Sequence, residues 1–299
     1  MTAFLRDSTL AHLRDVAEWP DLGPRYEITG RLGRGGMSTV FAARDRTLDR
    51  EVAIKVLVGT GADDGLAQRL LDEAHILARL EHPGIVPVHD AGTLPDGRVF
   101  YAMKLVRGHG LHQAIVHQTS AGDRLALVAR LCDAVSFAHA HGIVHRDLKP
   151  ENVMVGPFGE VLVMDWGVAR RVDDLGAGTA VSGTPGFMAP EQEAGLAGDG
   201  RVDVFGLGAL LRAILPAPMP RPLAAIAAKA TAAEPRDRYP SVDALAADLT
   251  RFRNGEPVEA YRETWVERVQ RVVTRYRMPL ALVVAYIVMR ALLIVWLGR

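Results

Sequence analysis

A glycine-rich turn has residue types and spacing that could bind phosphate. In "RLGRGGMSTVF", residues 31–41, the glycines at 33, 35 and 36 lie between two predicted strands. Their backbone N–H groups can approach phosphate oxygens because no Cβ atom stands in the way. An ordinary β-hairpin also uses glycines, so the turn alone leaves both interpretations open.

A lysine that needs a partner follows this turn. Lys55 ends the run "VAIK", 22 residues after Gly33. The run is apolar enough to be buried on both faces, and a buried ammonium group needs an anion beside it. Glu73, in the helical segment "LLDEAHILARLEH", can supply that anion. A solvated glutamate on the helix surface is the alternative interpretation.

Polar residues are concentrated again in the middle of the chain. The stretch "HRDLKPEN", residues 145–152, lies between the apolar runs "GIV" and "VMV" and carries too many polar groups for a surface turn. Asp165 directly follows another hydrophobic run in "VLVMDWGVAR". An acid in that position either forms a turn or lies at the mouth of a site, and Asp-x-Gly by itself favours the turn.

The sequence resembles the protein kinase superfamily, and specifically the eukaryotic-like serine/threonine kinases of bacteria. The resemblance covers residues 25–253 and rests on motifs that occur in the family's order. These are the glycine-rich loop, the strand lysine, the helix glutamate, "HRDLKPEN", "DWG", "GTPGFMAPE" and "DVFGLG". Trp166 replaces the family's usual phenylalanine and Ser38 its third glycine, and we expect the fold to tolerate both.

The resemblance implies catalytic and metal-binding roles. Asp147 corresponds to the carboxylate that orients an incoming Ser or Thr hydroxyl and accepts its proton. Lys149 corresponds to the residue that neutralises charge on the transferring phosphoryl group, and it is the serine/threonine form of this loop. Asp165 and Asn152 correspond to the residues that hold Mg²⁺ beside the phosphates of ATP.

The resemblance also implies an ATP site. Lys55 would bind the α- and β-phosphates while Glu73 fixes its position, and Met103 would be the gatekeeper before the hinge. The implied ATP-binding residues are Leu32, Gly33, Arg34, Gly35, Gly36, Met37, Ser38, Val40, Ala53, Lys55, Met103, Lys104 and Val106.

The segment after "DWG" carries the expected regulatory residues. Arg146 beside Asp147 is typical of kinases whose activation segment is ordered by phosphate. Thr179 and Ser182 are the expected phosphate acceptors, and Thr184 in "GTPGF" is expected to be structural.

Hydrophobic periodicity predicts a small antiparallel sheet with one helix, then a mostly helical lobe, and finally a transmembrane helix. The resemblance implies that the first two parts form the α+β, two-lobed protein kinase fold. The first lobe is a small β-sheet with one helix at 65–80, and the second has helices at 123–140, 202–215, 222–232 and 241–253. The predicted segments are an accessory helix region (1–24), the two lobes (25–104 and 105–253), a basic juxtamembrane segment (254–277) and the transmembrane helix (278–298).

Two further expectations concern the second lobe. Only "PAPMP" and its flanks separate the helices at 202–215 and 222–232, where the family usually inserts another helix. The resemblance also implies that Arg238 in "RDRYPS" pairs with Glu191 in "APE".

Composition excludes some classes of protein. The chain has 299 residues, 49% of them hydrophobic, which is enough for a full core. Lys plus Arg and Asp plus Glu both total 35, so no net charge attracts nucleic acid. The single cysteine, Cys132, suits a reducing compartment.

The C-terminal run at 278–298 is apolar apart from Arg290, and it has the length of a membrane-spanning helix. Four arginines precede the run and only Arg299 follows it, which predicts a single-pass protein of the inner membrane with its kinase domain in the cytoplasm.

These patterns together predict a membrane-anchored, ATP- and Mg²⁺-dependent protein serine/threonine kinase. Its partners would be protein substrates, the membrane and a second copy for trans-autophosphorylation, with no nucleic acid. A nucleotide-binding pseudokinase scaffold is the alternative, and a small-molecule phosphotransferase is a third reading. The intact Lys55, Asp147, Asn152 and Asp165 favour the active enzyme.

Overall fold

The computed structural model describes residues 19–35, 37–58, 64–117, 120–171, 183–196, 198–275 and 277–297. Residues 1–18 of the predicted accessory helix region, Gly36, Thr179 and Ser182 lie outside the described residues.

The first lobe is an antiparallel five-stranded sheet with the order β1-β2-β3-β5-β4. Its strands are β1 (Tyr26–Arg34), β2 (Ser38–Asp45), β3 (Arg50–Leu57), β4 (Val88–Thr93) and β5 (Val99–Lys104). Helix α1 (Asp64–Arg79) packs against β3, β4 and β5, close to the predicted bounds of 65–80.

The apolar run in β3 is buried on both faces of this sheet, as the sequence predicts. Ala53 and Leu57 belong to the core that includes α1. Val52 and Ile54 face the other side and pack in a smaller cluster that includes Leu22. The next side chain toward the helix, after Ala53, is that of Lys55, because successive side chains of a strand alternate between faces.

The second lobe is mainly helical, and each predicted helix is confirmed within two residues. It contains α2 (Leu111–His117), α3 (Ala121–Ala140), α4 (Pro190–Glu193), α5 (Arg201–Ile214), α6 (Arg221–Ala230) and α7 (Val242–Arg253). Helix α3 begins where the Ser120 side chain accepts a hydrogen bond from the Asp123 amide. It packs against α5 and α7 and forms the centre of the lobe.

Short strands hold the loops between these helices. β6 (His109–Gly110), β8 (Val153–Val155) and β9 (Val161–Val163) form one small sheet. β7 (Ile143–Val144) pairs with β10 (Arg170–Arg171). "HRDLKPEN" therefore lies between β7 and β8, and "DWG" follows β9, so both motifs start from paired backbone.

The predicted omission and ion pair in the second lobe are both confirmed. Helix α5 ends at Ile214 and α6 begins at Arg221, and residues 215–220 between them contain no helix. The guanidinium of Arg238 donates to both carboxylate oxygens of Glu191 at 2.6 and 2.7 Å, with both side chains buried.

Two helices follow the second lobe, α8 (Trp265–Arg275) and α9 (Arg277–Leu297). A search of the residues that the structure describes finds no helix with the length and apolar character needed to cross a bilayer. The predicted transmembrane helix is therefore not confirmed and stays a prediction.

Candidate functional site

A cavity of about 680 Å³ lies between the sheet and the second lobe. The glycine-rich turn, β3, α1 and β5 line one side. The end of "HRDLKPEN", β8 and the residues from the end of β9 through "DWG" line the other. It brings together the predicted residues Gly33, Arg34, Gly35, Met37, Ser38, Val40, Lys55, Glu73, Met103, Asn152 and Asp165.

Four predicted ATP-binding residues do not line this cavity. Leu32 and Lys104 are exposed, and Val106 is partly buried. Ala53 is buried in β3, where it pairs with the cavity residue Met103.

The Lys55 ammonium joins the two sides of the cavity. Its Nζ donates to the two carboxylate oxygens of Glu73 at 2.8 and 2.9 Å and to Oδ1 of Asp165 at 3.0 Å. Tyr101 on β5 donates its hydroxyl to Oε1 of Glu73 at 2.9 Å. Glu73 is buried and Lys55 is mostly buried, with 3% and 12% of their side chains exposed, whereas Asp165 has 54% of its side chain exposed. The predicted partner of Lys55 is therefore Glu73, and Asp165 presents the accessible carboxylate.

The local charges shift the pKa values of this cluster. Burial disfavours the charged form of Lys55, but the carboxylates of Glu73 and Asp165 outweigh burial and raise its pKa. Burial raises the pKa of Glu73. Burial would also raise the pKa of Asp165, but the Lys55 charge lowers it, so Asp165 remains ionised at neutral pH.

We expect Lys55→Met to destabilise the fold by about 3 kcal/mol at neutral pH, because it leaves the buried Glu73 carboxylate without its counter-ion. The loss should shrink in mildly acidic buffer, since a protonated Glu73 carries no charge to be compensated. Urea unfolding at the two pH values measures this. The matched control is Lys55→Met combined with Glu73→Gln, which should recover part of the loss, and equal losses in both variants would contradict the explanation.

A second cluster forms around Asp147. Lys149 Nζ lies 2.7 Å from Oδ2 of Asp147 and donates to the Thr184 hydroxyl at 2.7 Å. The Thr184 hydroxyl donates to Oδ1 of Asp147 at 3.2 Å. Asn152 donates its amide to the backbone oxygen and to Oδ2 of Asp147 at 2.8 and 3.1 Å. Because Asn152 also lines the cavity, the two clusters adjoin.

Thr184 is a contact that the sequence analysis did not assign. The sequence predicts a structural role for Thr184 without naming its partners, and its hydroxyl bridges Asp147 and Lys149 across 37 and 35 residues of chain. Its place in "GTPGF", beside the other motifs, is the signal that could have identified it. Tyr101 was missed in the same way, and its strand position gives no such signal.

Buried hydrogen bonds fix the backbone of the "HRD" loop. Asp203, on α5, accepts from the amides of His145 and Arg146 at 2.8 Å each. Arg146 has φ +71°, a conformation that side-chain residues rarely adopt, and the Gln192 side chain donates to its carbonyl at 3.0 Å. These contacts hold Asp147 in place through the residues before it.

His145 and Trp166 connect this loop to "DWG". His145 Nδ1 accepts from the Asp147 amide at 3.2 Å, which assigns the ring proton to Nε2, and that group donates to the carbonyl of Met164 at 3.1 Å. The Trp166 ring is buried, and its centroid lies 4.6 Å from that of His145. The larger aromatic residue is accommodated in the core while the neighbouring Asp165 stays accessible.

Asp165 and Asn152 fit a divalent cation. Both line the cavity, and the hydrogen bonds of the Asn152 side chain to described residues use only its NH₂ group. Over the described ranges, no three His, Cys, Asp or Glu residues cluster as a metal site. Mg²⁺ is usually bound by one or two protein oxygen ligands together with substrate phosphates, so this sparse set suits a metal that enters with a nucleotide.

Comparisons with known proteins agree with this arrangement. The family model described as "Protein kinase domain" matches residues 26–240. The chain is 36% identical over 278 residues to the serine/threonine-protein kinase PknB of Mycobacterium tuberculosis, covering 80% of this chain and 44% of the relative. It is 37% identical over 209 residues to the serine/threonine-protein kinase pkn3 of Myxococcus xanthus, covering 66% of this chain and 38% of that protein.

A solved structure shows the same fold. The PknI kinase domain of Mycobacterium tuberculosis matches with a TM-score of 0.58 and 27% identity, covering 76% of this chain and 96% of that domain. The chain spans less than half the length of the two curated relatives.

Proposed function

This chain belongs to the protein kinase family, among the serine/threonine kinases of bacteria, and we propose that it transfers the γ-phosphoryl group of ATP to Ser or Thr hydroxyls of proteins. The observation that carries the proposal is the hydrogen-bonded set of Asp147, Lys149 and Thr184 beside the cavity that holds Lys55 and Asp165.

In this mechanism the chain mainly positions groups and balances charge. Lys55, fixed by Glu73, binds phosphate oxygens of the nucleotide, and the glycine-rich turn offers backbone N–H groups. The carboxylate of Asp147 accepts the proton of the substrate hydroxyl. At the same time the hydroxyl oxygen bonds to the γ-phosphorus, and ADP leaves. Asp165 and Asn152 would hold Mg²⁺, which neutralises phosphate charge when bound.

Lys149 contributes by its position. It lies against the same carboxylate that takes the proton, so its charge is close to the oxygen atoms that exchange the phosphoryl group. Thr184 holds both side chains in one orientation. An intact set of this kind disfavours the pseudokinase alternative, in which nucleotide binds without transfer.

The test is incorporation of label from γ-labelled ATP into the purified chain and into a protein acceptor. We expect phosphoserine and phosphothreonine with the wild-type protein and none with Asp147→Asn. Nucleotide binding without transfer by the wild type would favour the pseudokinase scaffold. Transfer only to a small molecule would favour a small-molecule phosphotransferase.

We propose that phosphate on Thr179 or Ser182 orders the activation segment. The guanidinium groups of Arg146 and Arg170 support this: burial lowers the pKa of Arg146, and the neighbouring Arg170 charge lowers it further. Two guanidinium charges close enough to interact favour a phosphate anion beside them. Mixing active chain with the Asp147→Asn copy should place phosphate on residues 172–182 of the inactive copy, as read by mass spectrometry.

We also propose that residues 278–298 anchor the protein in the inner membrane, with the kinase lobes on the cytoplasmic side. The run is apolar apart from Arg290, which costs about 2.5 to 3.5 kcal/mol at a bilayer centre. Side chains of α9 such as Leu282, Ile287 and Ile294 are more than half exposed, so they need an apolar environment.

Removing everything after Arg277 should release the chain from membranes because it deletes this apolar run. We expect the full chain to resist carbonate extraction and to need detergent, and the shortened chain to be soluble and active. Fractionation followed by the transfer assay measures both properties. A full chain that stays in aqueous solution without detergent would contradict the anchor.

A further inference from the structure

Helix α8 packs on the second lobe in an unusual orientation, with its polar side inward. Glu267 and Arg271, four residues apart, have 28% and 23% of their side chains exposed. Val269 lies two residues after Glu267, and Val273 lies two residues after Arg271, so each valine is about 200° around the helix from that polar residue. The two valines are 54% and 51% exposed. A helix that packs on a soluble protein normally buries its apolar side instead.

The inward contacts are specific. Glu267 accepts hydrogen bonds from the Tyr261 hydroxyl at 2.8 Å, from Arg221 at 3.4 Å and from the Thr264 amide at 2.9 Å. Its own amide donates to the Thr264 hydroxyl at 3.3 Å, which forms a capping box at the start of α8. Arg271 donates to the carboxylate of Glu263, which is only 10% exposed. Arg221 belongs to the lobe and Tyr261 packs against its core, so these two residues connect the polar side of α8 to the lobe.

The outward side forms a continuous apolar stripe. Trp265, Val266, Val269 and Val273 are each more than half exposed and recur at helical spacing. Because the polar contacts fix the helix, it cannot rotate to bury the stripe without breaking the bonds of Glu267 and Arg271. The stripe needs a partner outside the lobe.

We infer that α8 lies flat on an anionic lipid surface, with this stripe in the boundary between headgroups and acyl chains. The inference rests on the proposed membrane anchor, because α9 begins at Arg277, two residues after α8 ends. Charge supports a lipid rather than a second protein copy, since residues 265–277 contain four arginines and one acid. Tryptophan, at position 265, is also enriched at membrane interfaces.

The consequence is a fixed orientation of the kinase. Helices of this type bury their apolar side about 5 to 10 Å into the interface. Since Tyr261 and Arg221 hold Glu267, the lobe would follow the plane of α8, and the cavity would stay at a set angle to the membrane. Acceptors near the surface would then be favoured over free peptides.

Spin labels on the full chain in vesicles test this. Cys132 is the chain's single cysteine and is buried, so an introduced cysteine can be labelled selectively. Three variants are needed: Val269→Cys on the stripe, Ile287→Cys in α9 and Phe158→Cys, a 94% exposed turn position, as the aqueous control. The measurement is the accessibility of each label to oxygen, which partitions into lipid, against a water-soluble nickel complex.

We expect the oxygen-to-nickel ratio at 269 to lie severalfold above that at 158 and below that at 287, and to rise when phosphatidylglycerol is added to phosphatidylcholine vesicles. A label at 287 in lipid with 269 in water would overturn the inference while leaving the anchor intact. A label at 287 in water would overturn the anchor, and position 269 would still report on α8 separately.

Two further results separate lipid from protein contact. Spin–spin broadening at 269 that disappears on dilution with unlabelled chain would show a second copy on the stripe and would overturn the inference. Adding Val266→Asp to the Val269→Cys variant should move the label into water. The matched control, Val116→Asp on α2, changes a 74% exposed valine elsewhere and should leave the ratio unchanged.

Discussion

Asp165→Asn should lower the rate of phosphoryl transfer by at least about a hundredfold while leaving the fold intact. The carboxylate is half exposed and its one described side-chain partner is Lys55, so little packing depends on its charge. Asp165 has φ +54°, and asparagine is among the few side-chain residues that adopt this conformation readily. The substitution therefore removes a negative metal ligand and preserves the backbone.

The measurement pairs a transfer assay with a thermal melting curve. Asp49→Asn is a matched control, because Asp49 has φ +48° in an exposed turn and, among the described residues, forms its ion pair with Arg44 on the surface. It should change neither activity nor melting temperature. Retained activity in Asp165→Asn would contradict the metal role, and a large fall in melting temperature would indicate that Asp165 is structural.

Local patterns in the sequence were sufficient for most of the fold. The helices of the second lobe were predicted because their apolar residues recur at three and four positions, and the structure packs those residues against one another in the core. The double burial of β3 was predictable for a similar reason, since its apolar residues are consecutive. Such local patterns predict a helix or a buried strand without knowledge of which other elements it will contact.

Contacts between distant segments were harder to predict. The pairing of Lys55 with Glu73 and of Arg238 with Glu191 came from unlike charges in recognisable motifs. The hydroxyl of Thr184 bridges two residues of another loop, and no charge or periodicity marks it. The outward stripe of α8 could not be predicted either, because an amphipathic sequence does not specify which side meets the lobe.

Asp203→Ala should lower the stability of the fold, whereas Asp165→Asn should lower activity and leave the fold intact. The difference arises because Asp203 holds the backbone of the "HRD" loop in place. It is 1% exposed and accepts from the amides of His145 and Arg146 and from Nε2 of His139 at 2.7 Å. Alanine leaves these donors buried without an acceptor, and Arg146 loses a contact that maintains its left-handed backbone. We expect a loss of about 3 to 5 kcal/mol in the free energy of unfolding.

The pH dependence of this loss identifies its cause. Burial would raise the pKa of Asp203, but the hydrogen bond and charge of His139 and the hydrogen bond from the Arg146 amide together lower it. A lowered pKa means that the stabilisation is complete above the unfolded value of about 4 and disappears as the pH falls through the folded value. The free energies of unfolding of wild type and variant, measured in urea, should therefore differ by a constant amount at neutral pH and converge in acid.

Asp133→Ala, on the exposed side of α3, is the control and should stay within about 0.5 kcal/mol of wild type. A difference between wild type and Asp203→Ala that persists unchanged in acid would mean that lost packing, rather than the ionised carboxylate, accounts for the effect.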